Sequence, residues 1–296
     1  LFSNTYGATN TATGFESLYS NIDGKQNTAY GTYALYSSID AYANTATGSY
    51  ALYSNTHGSQ NTAIGDAALN RNTTGDYNTA TGQQSLLSNT EGNRNTANGR
   101  QSLNANTIGN DNTASGYFSL GFNKTGSKNT AIGYNALYSN ISASNQTALG
   151  SSALYSLING VDNVAVGYEA AYSTDNSYGT YVGYQAGRNS NGVSNTYIGW
   201  GAGTDASIST ITTGGNNVCV GVRAGQGITA GQQNTVIGTL ANVSTGALNN
   251  TVTIGFNVAN TQSNSVVLGN ASITKWGFGV NAAAAIGQYT YNTRQL

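Results

Sequence analysis

The sequence predicts an all-β fold, a parallel β-solenoid (β-roll) of stacked 17-residue coils, and three observations carry that prediction. Pentads of the form Asn-Thr-Ala-x-Gly recur at a strict spacing of 17 residues, with glycines at Gly14, Gly31, Gly48, Gly65, Gly82, Gly99, Gly116, Gly133, Gly150 and Gly167. A unit that short encloses no core alone, so copies must stack and bury their apolar positions against one another. In the same phase a Leu stands four residues past each glycine, from Leu18 to Leu154, with Ala171 in the tenth copy, and the residue before it is always Ala or Ser. One large apolar column beside small ones suits a narrow, two-layered coil. Finally, there is no Pro in 296 residues, as expected where backbone N–H groups are wanted by neighbouring coils.

Each element of the coil has its own reason. The first column is Asn from Asn10 to Asn129, then Gln146 and Asn163; the second is Thr from Thr11 to Thr147, then Val164; the third is Ala from Ala12 to Ala165. An unbroken column of amides can form a hydrogen-bonded ladder along the stack, or each Asn can simply supply a turn conformation with positive φ. A second glycine column, Gly7, Gly24, Gly58, Gly75, Gly92, Gly109, Gly126 and Gly160, marks the other corner, where positive φ is again expected. With Gly, Asn, Thr, Ser, Ala and Tyr dominant, each coil is expected to hold two short strands joined by these corners, with almost no helix. Sixteen or so coils at about 4.8 Å each predict a rod about 75–80 Å long.

Three regions follow. Residues 1–173 form a regular shaft. In residues 174–269 the coils continue with longer loops, the pentad glycines becoming Gly183, Gly199, Gly221, Gly238, Gly255 and Gly269. The largest departure is at 204–215, and the motif lengthens to Asn-Asn-Val-Cys-Val-Gly at 216–221 and Asn-Ser-Val-Val-Leu-Gly at 264–269. Residues 270–296, with Trp276, Phe278, Tyr289 and Tyr291, carry the large apolar groups a cap or junction needs. Leu1 lies in phase with Leu18, so the sequence opens in mid-coil, and further protein is expected upstream.

The unit at 129–140, Asn-Thr-Ala-Ile-Gly-Tyr-Asn-Ala-Leu-Tyr-Ser-Asn, resembles the repeats of phage tail fibres and related surface fibres. The longer form at 264–269 resembles the head repeat of trimeric autotransporter adhesins. The resemblance covers roughly residues 1–269. It implies a homotrimer of parallel coil stacks about one axis, an extracellular or virion-surface location, a further fibre or baseplate protein on the N-terminal side, and a host cell-surface glycan or protein receptor. Fibres of the phage type often carry a C-terminal chaperone domain that is removed after assembly, and residues 266–274 resemble the junction before one. Phage and bacterial origins both stay open.

Composition offers little chemistry. There are 10 basic and 11 acidic residues, one His and one Cys, and no acidic residue recurs in a fixed column. His57 sits at a corner occupied elsewhere by Asp23, Thr74 or Glu91, as a solvated residue would. Cys219 is an alternation site between Val218 and Val220, a small core or interface residue. The Gly-rich stretches at 183–187, 199–203 and 221–225 lack the Lys-Ser/Thr ending of a phosphate loop. Scattered Asp residues do not make calcium repeats, and a net charge of −1 gives no nucleic-acid footprint. No apolar run is long enough to span a membrane. No catalytic residues, cofactor or metal site are therefore assigned. For a polysaccharide-degrading enzyme, Glu169 with Asp162 or Asp175 is the closest carboxylate pair, and nothing in their coil positions brings them together.

Binding has better candidates. The residue after the Leu is Tyr at Tyr19, Tyr36, Tyr53, Tyr138, Tyr155 and Tyr172, and such a row can stack on sugar rings or seal a lateral subunit contact. The Thr column suggests ice binding, but its partner column reads Thr13, Tyr30, Thr47, Ile64, Thr81, Asn98, which breaks a two-dimensional lattice. Receptor contact is thus expected at Tyr138, Tyr155 and Tyr172, at Thr204 and Asp205 in the longest loop, and at Trp276 and Phe278 near the tip. The function expected is a structural fibre or adhesin displaying a receptor-binding surface; the alternative is an ice-binding or extracellular-matrix solenoid.

Overall fold

The computed structural model of the chain describes residues 1–204 and 212–273; Asp205, Trp276 and Phe278, three of the expected contact residues, lie outside the described residues. Sixteen short strands, from Thr11–Thr13 to Ser265–Leu268, make one parallel sheet in which each pairs with the strand of the coil below and the coil above. The register is the repeat itself: Thr11 faces Thr28, Ala12 faces Ala29 and Thr13 faces Tyr30. Shortening the repeat between Gly255 and Gly269 leaves the pairing intact, Thr251 facing Ser265 and Ile254 facing Leu268. A second parallel pair, Asn242–Val243 with Ala259–Asn260, lies beside the last coils. No helix occurs among the described residues. The predicted all-β parallel solenoid is the observed fold.

The expectation of two strands in every coil is not met. One side of the coil is a three-residue strand; the other is a chain of turns. The reason lies in the core. Ala34 and Leu35 are consecutive and both fully buried, as are Ala136 and Leu137, whereas a strand sends successive side chains to opposite faces. Both side chains turn inward because every Leu in the column is left-handed, from φ 48° at Leu18 to 52° at Leu154. The residue two before it and the one preceding the Asn column share that conformation, as at Gln84 (φ 55°), Leu86 (φ 52°) and Arg94 (φ 55°) within one coil. Each such non-glycine residue costs about 1 kcal/mol or more. Inter-coil hydrogen bonds offset the cost: Leu86 N donates up the stack to Ser102 O at 2.9 Å, while Gln84 N and Arg94 N donate down to Asp66 O and Asp76 O at 2.9 and 3.0 Å.

The two glycine columns serve different purposes. Those of the pentads are left-handed, φ 126° to 139° from Gly14 to Gly167, as expected. Those of the second corner are not, which corrects the expectation there, and Ala41 and Ala143 stand in the same column. They are glycine for want of space: a Cβ at Gly92 would lie 2.3 Å from Asn89 Oδ1 and 2.5 Å from Gly109 O.

The amide column is a ladder. Asn78 Nδ2 donates to Asn61 Oδ1 at 3.1 Å and to Gly92 O at 2.8 Å, and its Oδ1 accepts from Asn95 N at 3.0 Å. Its φ is not left-handed; that role falls to Tyr77, φ 59°. Gln146 takes a place in the column because its longer side chain still reaches Gly160 O, at 2.9 Å. A second ladder, not anticipated, runs through Asn55, Asn72, Asn89, Asn106, Asn123 and Asn140, each amide from Asn72 onward donating to the oxygen one coil below at 2.6 to 2.8 Å. The two converge, since Asn78 and Asn89 both donate to Gly92 O.

Above Gly167 the core is rebuilt. Tyr181, Tyr197 and Cys219 replace the strand Ala, and Gly187, Gly203 and Gly225 replace the Leu. A Cβ on Gly187 or Gly203 would lie 2.2 Å from the ring of Tyr181 or Tyr197, and one on Gly225 would lie 2.2 Å from Cys219 Sγ. Bulk has moved from the turn side to the strand side. Cys219 is the buried core residue expected, and burial pushes its thiol well above the ordinary range.

Candidate functional site

The Tyr column stacks. Tyr138 and Tyr155 lie 5.0 Å apart between centroids with planes 5° from parallel, and Tyr155 and Tyr172 lie 4.9 Å apart at 8°. Nearer the start, Tyr19, Tyr36 and Tyr53 do the same at 5.3 and 5.2 Å. Coil spacing and ring stacking distance nearly coincide, so a Tyr repeated in phase in this column meets its neighbour face to face. Asn70, Leu87, Asn104 and Gly121 interrupt the column and leave two separate ladders. The upper one ends on Arg188, whose guanidinium sits 4.9 Å from the Tyr172 centroid. Burial, then the neighbouring Tyr172, Tyr138 and Tyr134, push the Tyr155 hydroxyl above its ordinary range.

A parallel aromatic row escaped the sequence reading. It occupies the position directly after the pentad glycine: Tyr117 stacks on Tyr134 at 5.7 Å, Tyr168 on Tyr184 at 5.2 Å, and Tyr184 on Trp200 at 6.2 Å. Arginines cap both ends, Arg100 lying 5.5 Å from the Tyr117 ring and Arg223 lying 4.5 Å from that of Trp200. The signal was available, since Tyr117, Tyr134, Tyr168, Tyr184 and Trp200 share one phase, but only the residue after the Leu was read as a column.

Glu169 ties the two rows together. Its Oε2 accepts from Arg188 Nε at 2.7 Å and from Gln185 Nε2 at 2.8 Å. Burial raises the carboxyl, but Arg188, Gln185 and the neighbouring Tyr168 outweigh it and hold the group below the ordinary range. Asp175 is committed elsewhere, its Oδ1 accepting from Ile158 N and Asn159 N at 3.0 Å each. Thr204 is only 4% exposed. Its hydroxyl donates to Gln185 O at 2.6 Å and accepts from Arg188 N at 3.3 Å, so it closes the coil and is not available to a receptor. His57 pairs at the exposed corner with Asp40 of the coil below. Among the described residues no three His, Cys, Asp or Glu side chains converge as metal ligands, and no helix is long and apolar enough to cross a membrane.

A different face of the rod carries the outward residues of the sheet. None of the sixteen strands contains a charged residue. Up to Ser115 the second outward column is mixed: Thr13, Tyr30, Thr47, Ile64, Thr81, Asn98, Ser115. Beyond it the column is aliphatic without a break, Ile132, Leu149, Val166, Val182, Ile198, Val220, Ile237, Ile254 and Leu268, each paired with the next in register. Val164, Val218, Val252 and Val266 add to it from the neighbouring column. No protein-family model matches the chain, and no curated protein is similar to it in sequence.

Proposed function

We propose that the chain is the shaft of a homotrimeric fibre, borne on a phage tail or a bacterial surface, that presents its aromatic rows to a host-cell glycan. The uncharged, increasingly aliphatic strand face is the observation that carries this reading. A monomer would leave that strip in water, and a contiguous exposed apolar patch of that size marks an interaction surface. Sixteen rungs at about 4.8 Å, with a strip about 10 Å wide, make close to 800 Å² per chain, near the area each partner buries in a stable complex. Identical rods in parallel register present identical residues at each level, so the aliphatic rungs meet one another. The row of Tyr138, Tyr155 and Tyr172 lies in the run of turns and the other row two residues past the strand; in this reading both stay open when the strips are covered. Further fibre or baseplate protein attaches on the N-terminal side in this reading, and the location is extracellular.

Mass in solution tests the assembly. A trimer is expected for the parent, and Ile198→Lys with Ile237→Lys should release monomers that keep their β signal in circular dichroism. A monomeric parent would end the fibre reading.

A further inference from the structure

The aromatic row after the pentad glycine lacks a single rung, and we propose that this gap is a binding slot for one neutral pyranose ring of a glycan; the inference rests on the glycan reading above. Tyr134 and Tyr168 belong to coils on either side of Ser151, which occupies the ring position between them. The three coils are joined directly, Ser152 N donating to Tyr134 O at 2.8 Å and Glu169 N to Ser151 O at 3.0 Å, so the spacing is fixed by the backbone. Two coil rises separate the flanking rings by about 10 Å, which is two ring-stacking distances and admits one ring between them.

Both flanking rings are held from behind. Tyr134 is stacked on Tyr117 and Tyr168 on Tyr184, with planes 9° and 18° from parallel, so each ring keeps its orientation without a ligand. They remain 54% and 45% exposed. A slot built in advance spares the ligand the ordering cost of its walls. Along the rest of this row the outer faces are covered, Tyr117 by Arg100 and Trp200 by Arg223.

The lining selects the class of ring. The walls are aromatic faces, and Ser151 and Ser152 bring two hydroxyls to the rung between them. A pyranose has that pattern in reverse: C–H groups on its two faces and hydroxyls around its perimeter. Charge is not offered, because Glu169 and Arg188 neutralise each other at 2.7 Å and Arg188 also lies on Tyr172. A flat aromatic ring would satisfy the walls but leave the polar perimeter without partners.

The test fills the rung. The full-length protein is probed on an array of neutral and charged glycans, and with soluble glucose, galactose and N-acetylglucosamine oligomers by saturation-transfer NMR. The parent is expected to bind neutral glycans. Ser151→Tyr should weaken binding by about tenfold or more while raising the melting temperature, because it completes the stack from Tyr117 to Trp200. Ser151→Ala keeps the slot open but removes one lining hydroxyl, so it should weaken binding by only about threefold, well short of the loss in Ser151→Tyr. If Ser151→Tyr binds the same glycans as tightly as the parent, the slot is wrong although the glycan reading stands. A parent that binds no neutral glycan overturns both, and one that takes up p-cresol but no sugar overturns the choice of a pyranose.

Discussion

Truncating the two Asn ladders should give unequal losses, and the hydrogen-bond inventory says how unequal. In Asn78→Ala the side chain loses donations to Asn61 Oδ1 and Gly92 O and acceptances from Asn95 N and Asn95 Nδ2. Three of those partners keep another bond. Gly92 O still receives Asn89 Nδ2, Asn61 Oδ1 still receives Asn78 N, and Asn95 Nδ2 still reaches Gly109 O. Asn95 N–H, buried, is left with nothing. One orphaned buried donor costs about 1–3 kcal/mol, and the other lost bonds bring the total to about 2–4 kcal/mol. In Asn89→Ala the losses are to Asn72 Oδ1, Gly92 O and Asn106 Nδ2; Gly92 O keeps Asn78 and Asn106 keeps Gly109 O, so no backbone group is orphaned and the one buried group left without its partner is the side-chain oxygen of Asn72. With one bond fewer lost than in Asn78→Ala, that change should cost about 1–3 kcal/mol. The sequence already shows the same ranking: Ser38, Leu157 and Thr174 replace Asn in the second column, whereas through Asn163 the first column tolerates only Gln146. Guanidinium denaturation of both variants, with hydrogen exchange of the Asn95 amide, measures the difference. An Asn89→Ala variant as damaged as Asn78→Ala, or an Asn95 amide as protected in Asn78→Ala as in the parent, would refute the argument.

Two further outcomes are expected. Tyr197→Ala should open a cavity costing about 3–5 kcal/mol, and Gly203→Leu should overpack the same space; the double variant restores the Ala and Leu pairing of the lower coils and should recover most of the loss in thermal denaturation. Recovery no better than the sum of the single effects would mean the two positions do not share one space. Glu169, held low in the folded chain, favours folding above its ordinary value of 4.5 and loses that contribution as pH falls through its lowered value. The parent should therefore melt above Glu169→Gln at pH 6, and the gap should narrow toward pH 3; a gap independent of pH would remove the Arg188 clamp as its cause.

How much could be read in advance differs by element. The 17-residue period alone determines a stack of coils, and the in-phase Leu, Ala and Asn columns identify the core, because a position repeated at every level must meet its own copies. Tyr138, Tyr155 and Tyr172 were legible for the same reason. The row of Tyr168, Tyr184 and Trp200 was in phase but varied in residue type, and only its stacking geometry distinguishes it from scattered surface aromatics. Tertiary structure decided the rest. That one side of each coil is a strand and the other a run of turns follows from left-handed Leu residues, a conformation against local preference that inter-coil hydrogen bonds make tolerable. The exchange of Ala and Leu for Tyr and Gly above Gly167 becomes intelligible only once the two positions are seen to share one space. Repetition fixes which residues meet along the rod; packing across the coil, between positions the period does not relate, depends on how the backbone closes each turn.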